Sequence, residues 1–319
     1  MRPFGRALTL ALLSAVTAEF LLGDHRLAGA APIGEQLAAL VLYGAFSGAA
    51  AVLIRDVARR TGRGWPTILL LAVAFGVIEQ GMLGSGIGEL GAIGTIGALG
   101  RHVIWGVSAP IAVVEALFPG PVAGRIPVAP QRQAPWLAMP GTVIAGAAAL
   151  LGGAALLVVS VSEPGFAAAP RQWALAVAAA VIAAAAVAVV VALRLPRRSP
   201  LGRGHYWWSI LVALVATSAF IGVDQLPRTL PLWLSALFLL LPLAAGAVLV
   251  VVLRLDVLGL ASGAILTACW HGLTDALPLG VLPGIEQNLL VGMSIAVLYT
   301  AYLVQRRRPG LLRAQSAVL

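Results

Sequence analysis

The sequence predicts an all-α fold, a polytopic transmembrane helix bundle of about ten spans with both termini in the cytoplasm. Three observations predict it. Hydrophobic residues make up 60% of the chain and the mean hydropathy is +0.98. Charged residues make up only 10%, whereas soluble domains contain about 25%. The basic residues fall mainly in every second loop, which is the pattern of a multi-pass protein.

The predicted spans are each about 20 apolar residues long, the length that crosses the hydrocarbon core. Their ranges are 7–23, 36–54, 66–84, 98–117, 138–160, 172–193, 206–226, 231–253, 257–277 and 287–304. They leave no room for a sizeable soluble domain, so residues 1–319 are predicted to form one integral membrane domain. Two halves, 1–137 and 138–319, are the alternative division. The fifth and sixth spans carry no ionisable residue in their middles and are predicted to be lipid-facing scaffold.

Arginine sets the orientation, since all 21 basic residues are Arg. With a cytoplasmic N-terminus, 17 of these 21 fall in cytoplasmic segments such as the predicted loop 55–65, as the positive-inside rule requires. The expected surroundings are therefore the lipid bilayer of the cell (cytoplasmic) membrane. These loops also account for the net charge of +9, so no nucleic acid is expected as a partner. Residues 1–30 also resemble a signal peptide, whose cleavage would not change the orientation of the later spans.

Ionisable side chains at membrane depth are costly and therefore mark candidate functional residues. On the predicted topology they collect in the extracytoplasmic leaflet, and Glu115 alone lies at an inner helix end. Glu79 interrupts the apolar run LLLAVAFGVI and is the candidate catalytic residue. Glu19, Asp224 and Glu286 lie near helix ends, where a plain interface role is the simplest interpretation. Asp224 is also a candidate member of a binding site.

The stretch ACWHGLTDALP, residues 268–278, contains a polar pair at the end of an apolar run. His271 and Asp275 are four residues apart and therefore share one helix face. Asp275 can accept a hydrogen bond from the imidazole, or the two can hold a metal ion together. A local hydrogen bond at a helix end is the simpler interpretation. Trp270, and Trp105 close to His102, are candidate binding residues, although anchoring at the membrane interface also explains tryptophan there.

Two other sequence features narrow the chemistry. Cys269 is the only cysteine, which excludes an intrachain disulfide and a cysteine-cluster metal site. The stretch GIGELG, residues 86–91, fits the dinucleotide fingerprint, but the strand and parallel-sheet unit that the fingerprint needs are not predicted. We interpret that match as a coincidence.

The polar positions resemble part of the motif set of the CAAX-protease and bacteriocin-processing family of intramembrane hydrolases. That family carries E-E-x-x-x-R, F-x-x-x-H, and H-x-x-x-N or a similar residue. The matching positions are Glu79 followed by Gln80, His102 preceded by Ala98 at the Phe position, and His271 through Asp275. The resemblance implies that Glu79 activates water. The first 140 residues are also similar to uncharacterised bacterial polytopic membrane proteins, which implies a fold class and no activity.

Two functions are consistent with these residues. The first is a secondary transporter or small-molecule-binding permease, which requires no cofactor. Its proton-coupled site would open outward and be lined by Glu79, His102, Asp224, His271 and Asp275. The alternative is a membrane-embedded metal-dependent hydrolase, in which Glu79 activates water and His102, His271 and Asp275 bind a zinc ion. Convergence of Glu79, His102 and His271 in the folded chain would favour the hydrolase.

Overall fold

The computed structural model describes residues 3–22, 32–82, 97–118, 135–162, 205–223 and 255–307, with single residues and short pieces between 186 and 194 and between 234 and 253. Every regular element among these residues is a helix, which confirms the predicted all-α fold. Within the described ranges, five helices are long and apolar enough to cross a membrane: Ile33–Arg60, Gly97–Leu117, Met139–Val159, Val257–Leu279 and Val281–Arg306. The chain is therefore a membrane protein. The total of ten spans and the cytoplasmic position of both termini stay predictions.

The main helices follow the predicted spans closely. They are α1 (Pro3–Ala15, continued by Val16–Phe20), α2 (Ile33–Arg60), α3 (Trp65–Met82), α4 (Gly97–Leu117), α5 (Met139–Ser162), α6 (Tyr206–Gly222), α7 (Val257–Ala276, continued by Leu277–Leu279) and α8 (Val281–Arg306). The predicted sixth and eighth spans, 172–193 and 231–253, lie mostly outside the described residues. The predicted loop 55–65 is wrong over its first half, because α2 continues to Arg60.

Local chemistry explains where α7 and α8 begin. Asp256 caps α7, and its Oδ1 accepts a hydrogen bond of 2.8 Å from the backbone N–H of Gly259. That bond satisfies one of the N–H groups that the first helical turn leaves without a partner. Gly280 has φ +120°, a conformation that glycine adopts without steric cost, and it separates α7 from α8.

Three of the helices contain a π-helical segment, in which one turn holds an additional residue. The segments are Val16–Phe20 in α1, Gly44–Gly48 in α2 and His102–Ser108 in α4. Such segments are rare, and they occur frequently at functional sites because they free backbone groups and change the direction of side chains. Hydroxyls of α1 bind the carbonyls of the segment in α4: Thr17 donates to Trp105 at 2.6 Å, and Ser14 donates to Gly106.

Glycine allows the helices around these segments to approach closely. A Cβ at Gly48 would collide with the backbone of Ala11 in α1, and a Cβ at Gly272 would collide with the carbonyl oxygen of Leu21. Close backbone contact at small residues is the usual way in which membrane helices pack. The middle of α1 is therefore in close contact with α2, and the residue that follows its last turn is in close contact with α7.

The surface of α5 is apolar and exposed. Val143, Ile144, Leu150 and Leu151 all point away from the bundle, while Gly152 and its neighbour pack against Phe46 of α2. Among the described residues this apolar surface is uncovered, as membrane-facing surfaces are, and the scaffold role of the fifth span stays a prediction.

Candidate functional site

Four helices bring four polar side chains together inside the bundle. Glu19 of α1, Ser47 of α2, Glu79 of α3 and His102 of α4 form what we call the buried polar cluster. Glu19 is 6% exposed and Glu79 is 4% exposed. Nδ1 of His102 lies 2.9 Å from Oε2 of Glu79, and the hydroxyl of Ser47 donates a hydrogen bond of 3.3 Å to Oε1. The cluster is therefore continuous across α2, α3 and α4.

The cluster has the composition and the dimensions of a metal-ligand set. One ligand atom from each of Glu19, Glu79 and His102 lies within 4.8 Å of the other two. Among the described residues, no other group of three or more such side chains meets this limit. Oε2 of Glu79 accepts no well-aligned hydrogen bond from the part of the chain that the structure describes, although Nδ1 of His102 is close.

The π-helical segments place three of the four side chains. Glu19 lies in the segment of α1, Ser47 in the segment of α2, and His102 is the first residue of the segment in α4. Glu79 lies in regular helix near the end of α3. One turn earlier, a Cβ at Gly76 would lie 2.7 Å from Cδ1 of Leu99, so the lack of a side chain there leaves room for Leu99 of α4 against α3.

Burial makes the electrostatic energy of this cluster depend on the protons or cations that it binds. Glu19 and Glu79 attract a positive charge on His102, whereas Arg101 repels it. Two buried carboxylates face one imidazole among apolar helices, and unbalanced charge at membrane depth costs several kcal/mol per group. A shared proton or a bound cation would balance the carboxylates.

The structure brings two of the predicted site residues, Glu79 and His102, into contact, and it keeps the His271–Asp275 pair separate. His271 and Asp275 share one face of α7, with Nε2 and Oδ2 3.6 Å apart, and the Asp275 side chain is 48% exposed. This pair is not part of the three-ligand group. It does lie at the same end of the bundle, because Gly272 adjoins Leu21 beside the π segment of α1.

The two candidate tryptophans have different surroundings. Trp105 is completely buried, and its indole N–H donates a hydrogen bond of 2.7 Å to the carbonyl of Ala264 in α7. Interfacial anchoring is therefore the wrong interpretation for Trp105, which joins α4 to α7. Trp270 is partly exposed and donates to the hydroxyl of Ser218 at 2.9 Å. Asp224 lies outside the described residues.

Sequence reasoning missed Glu19, which the structure buries in the cluster. Its interpretation as an interface residue was based on its position near a helix end. The signal that could have found it is the apolar sequence on both sides, LLSAVTA before it and FLL after it, which is the pattern that marked Glu79. Ser47 gives no such signal, because serine is common in apolar helices and satisfies itself on the backbone.

A second group of buried charges lies further along α2, and we call it the arginine–carboxylate network. Glu115 of α4 is its centre. Nε of Arg55 and Nε of Arg59 both donate to Oε1 of Glu115, at 3.0 and 2.8 Å, and Arg59 also donates to Oε2 at 2.6 Å. Both carboxylate oxygens of Glu115 are thus hydrogen-bonded to guanidinium groups.

Asp56 completes the network on the side of α5. Its two oxygens accept the backbone N–H groups of Trp136 and Leu137 at 2.9 and 3.0 Å. Arg55 donates to Asp56 at 3.1 Å, and its guanidinium group lies 3.8 Å from the centre of the Trp136 ring. The network therefore fastens α2 to α4 and to the segment that precedes α5.

The two groups of charges lie at different depths. Ser47 and Arg55 are eight residues apart on α2, which corresponds to about 12 Å along the helix axis. The arginine–carboxylate network lies at the end where the arginine distribution predicts the cytoplasm.

In comparisons with known proteins, no family model, no curated protein and no solved structure matches this chain. Its function is accordingly inferred from the geometry of the two groups of buried charges.

Proposed function

We propose that this membrane protein is a secondary transporter or small-molecule-binding permease whose ionisable site is the buried polar cluster. One observation carries the proposal: two carboxylates and an imidazole, on three different helices, meet within 4.8 Å inside an apolar bundle. Ionisable residues that face the interior of a membrane bundle typically mark the path of a proton, an ion or a substrate.

The chemistry of the cluster supports a coupled transport cycle. Two carboxylates buried beside an imidazole at membrane depth are costly to keep charged. Binding of a proton or a cation relieves that cost, and release restores it. The state of the cluster is therefore linked to what it binds, as coupling requires.

The surrounding backbone supports movement at this level. Three helices change from α-helical to π-helical geometry at the cluster, where the ladder of hydrogen bonds is irregular. Gly48 lies at the contact between α1 and α2, and Gly76 lies at the contact between α3 and α4. Neither glycine has a side chain that would hinder movement of one helix along the other. Sliding of packed helices is one of the established forms of conformational change.

The arginine distribution places the cluster in the extracytoplasmic leaflet of the proposed transporter. The arginine–carboxylate network, with Arg55, Arg59 and Arg60, would face the cytoplasm. The cluster, nearer the start of α2, would then be reached from the opposite side.

Cysteine accessibility tests the transporter proposal. Cys269 is the only cysteine, so Cys269→Ala provides a background without thiols. In oriented vesicles we expect Ser47→Cys to react with a membrane-impermeant maleimide from the extracytoplasmic side. After correction for the smaller thiolate fraction at the lower pH, the rate should change when the outer pH is moved from about 7.5 to about 5.5, because bound protons change the charge of the cluster.

The matched control is Ser262→Cys, a buried serine of α7 that contacts the hydroxyl of Tyr206 at 3.1 Å. It should remain unlabelled in both conditions. If Ser47→Cys is equally unreactive at both pH values, the cluster is closed and static, and the transporter proposal fails.

One observation favours the hydrolase as a second candidate. Glu79 and His102, which resemble motif positions of the CAAX-protease family, are 2.9 Å apart. The third position, His271, lies outside the three-ligand group, and the hydrolase would need it there. Incubation of the purified protein with fluorogenic peptides tests this candidate. Cleavage that is lost in both Glu79→Gln and His271→Asn would favour the hydrolase over the transporter.

A further inference from the structure

We propose that the buried polar cluster binds one divalent transition-metal cation, through a carboxylate oxygen of Glu19, Oε2 of Glu79 and the imidazole of His102. The inference rests on the proposed transporter function, and it names the class of ion that is transported or that drives transport.

The ligand types select the class of metal. One imidazole nitrogen with two carboxylate oxygens suits zinc, manganese, cobalt or iron, whereas calcium and magnesium prefer oxygen ligands alone. The cluster contains no thiolate or thioether ligand that would favour copper(I). Ligand atoms bound at 2.0–2.2 Å to one such cation lie about 3–4 Å from one another, which is compatible with a group whose ligand atoms lie within 4.8 Å.

The hydrogen bonds around Glu79 leave one oxygen for the cation. The Ser47 hydroxyl donates to Oε1 and orients the carboxylate, in the manner of the outer partners that fix metal ligands. Oε2 is buried and accepts no well-aligned hydrogen bond from the described residues. It lies 2.9 Å from Nδ1 of His102, a separation that two adjacent ligand atoms of one ion can also have.

The charges also match a divalent cation. Glu19 and Glu79 supply two negative charges, which a 2+ ion balances when His102 is neutral. Arg101 adds a nearby positive charge, so we expect moderate affinity that allows release. Protons compete for all three ligands, and acidification should therefore release the metal.

The other groups of charges in the part of the chain that the structure describes do not offer such a site. Both oxygens of Glu115 are hydrogen-bonded to arginine, and those of Asp56 to backbone N–H groups. His271 and Asp275 supply two ligands only, and Asp275 is half exposed. That pair is therefore the control for non-specific binding by a histidine and a carboxylate on the same side of the bundle.

Metal titration of the full-length protein tests the inference. The protein is purified in detergent, stripped with a chelator and titrated with Zn²⁺ by calorimetry and with Co²⁺ by visible absorption. We expect about one equivalent to bind to the wild type, and at least about tenfold weaker binding to Glu19→Gln, Glu79→Gln and His102→Gln. His271→Asn and Asp275→Asn should bind like the wild type.

If a ligand variant does not fold, Ser47→Ala takes its place, because it leaves the three ligands unchanged. It should weaken metal binding severalfold, because the Glu79 carboxylate loses the hydrogen bond that orients it. Absence of binding to the wild type, or equal binding by wild type and the three ligand variants, overturns the metal proposal.

The outcomes separate this inference from the proposed function. If no metal binds but the reactivity of Ser47→Cys still changes with pH, the metal proposal fails and a proton-coupled transporter stands. If one metal ion binds and Ser47→Cys stays unreactive at both pH values, the metal site is structural and the transporter proposal fails.

Discussion

The buried polar cluster and the arginine–carboxylate network are both made of charged groups inside the same bundle, and α2 contributes to each. They differ in how the charges are balanced. In the network, three arginines surround two carboxylates, and every carboxylate oxygen has a guanidinium or backbone donor. In the cluster, two carboxylates face one imidazole, and one oxygen of Glu79 lacks a well-aligned donor.

This difference shows that burial of charge does not by itself indicate function. A network whose donors and acceptors are matched within the chain holds helices together, and breaking it is costly. A cluster of buried carboxylates and an imidazole, in which one carboxylate oxygen has no well-aligned donor among the described residues, can bind a proton or a cation. Mutations in the arginine–carboxylate network should therefore change the stability of the protein. Mutations in the buried polar cluster should change what the protein binds.

The largest expected effect on stability is at Glu115. Glu115→Ala leaves Arg55 and Arg59 buried without their shared carboxylate, which should cost about 3–5 kcal/mol of unfolding free energy. Thermal unfolding in detergent measures it. Glu115→Gln, which keeps the shape and one acceptor, should lose less. A Glu115→Ala protein as stable as the wild type would contradict the structural role of the network.

The second largest effect on stability is expected at the close contact between α1 and α2, the helices that contribute Glu19 and Ser47 to the cluster. In Gly48→Ala the new Cβ overlaps the backbone of Ala11, so the helices must separate, at a cost of about 1–3 kcal/mol.

Gly44→Ala is the matched control, because Gly44 lies in the same π-helical segment and a Cβ there meets nothing within 4 Å. It should be neutral or slightly stabilising, since alanine favours helix. Melting curves that show equal losses for both variants would mean that the contact at Gly48 is not tight.

Glu79→Gln tests whether the cluster, unlike the network, contributes little to stability. The amide keeps an oxygen for the Ser47 hydroxyl and removes one of the two competing negative charges, so stability in metal-free detergent should change by about 1 kcal/mol or less. A loss as large as that of Glu115→Ala would show that the cluster is a second structural network.

The smallest expected effect is at Asp275. Its contact with His271 is 3.6 Å long and its side chain is half exposed, so Asp275→Asn should change stability by less than about 1 kcal/mol. Transport and metal binding should be unaffected. A loss of transport in Asp275→Asn at unchanged stability would extend the site to α7.

The sequence predicted the helices well because a run of about 20 apolar residues allows few other structures in a bilayer. It also predicted that His271 and Asp275 share a face, because that depends on helical spacing alone. The meeting of Glu19, Glu79 and His102 could not be predicted in the same way. It depends on the rotation of separate helices, and the π-helical segments change the direction of the side chains within them.

The network was missed for a related reason. Arg55 was assigned to a cytoplasmic loop, where the positive-inside rule explains arginine without any partner. In the structure α2 continues to Arg60, and this additional helical length carries Arg55 into contact with Glu115. Only contacts between distant parts of the sequence distinguish a buried arginine from one in a loop.

Flux through reconstituted protein tests most directly the central claim that the buried polar cluster is the transport site for a divalent cation. Proteoliposomes are loaded with a zinc-sensitive dye, Zn²⁺ is added outside, and dye fluorescence is followed with and without a proton gradient. We expect wild-type and Asp275→Asn liposomes to take up Zn²⁺ at rates that depend on the gradient, and Glu79→Gln liposomes to match protein-free ones. Equal uptake by wild type and Glu79→Gln, or no uptake by the wild type above protein-free liposomes, would contradict the account.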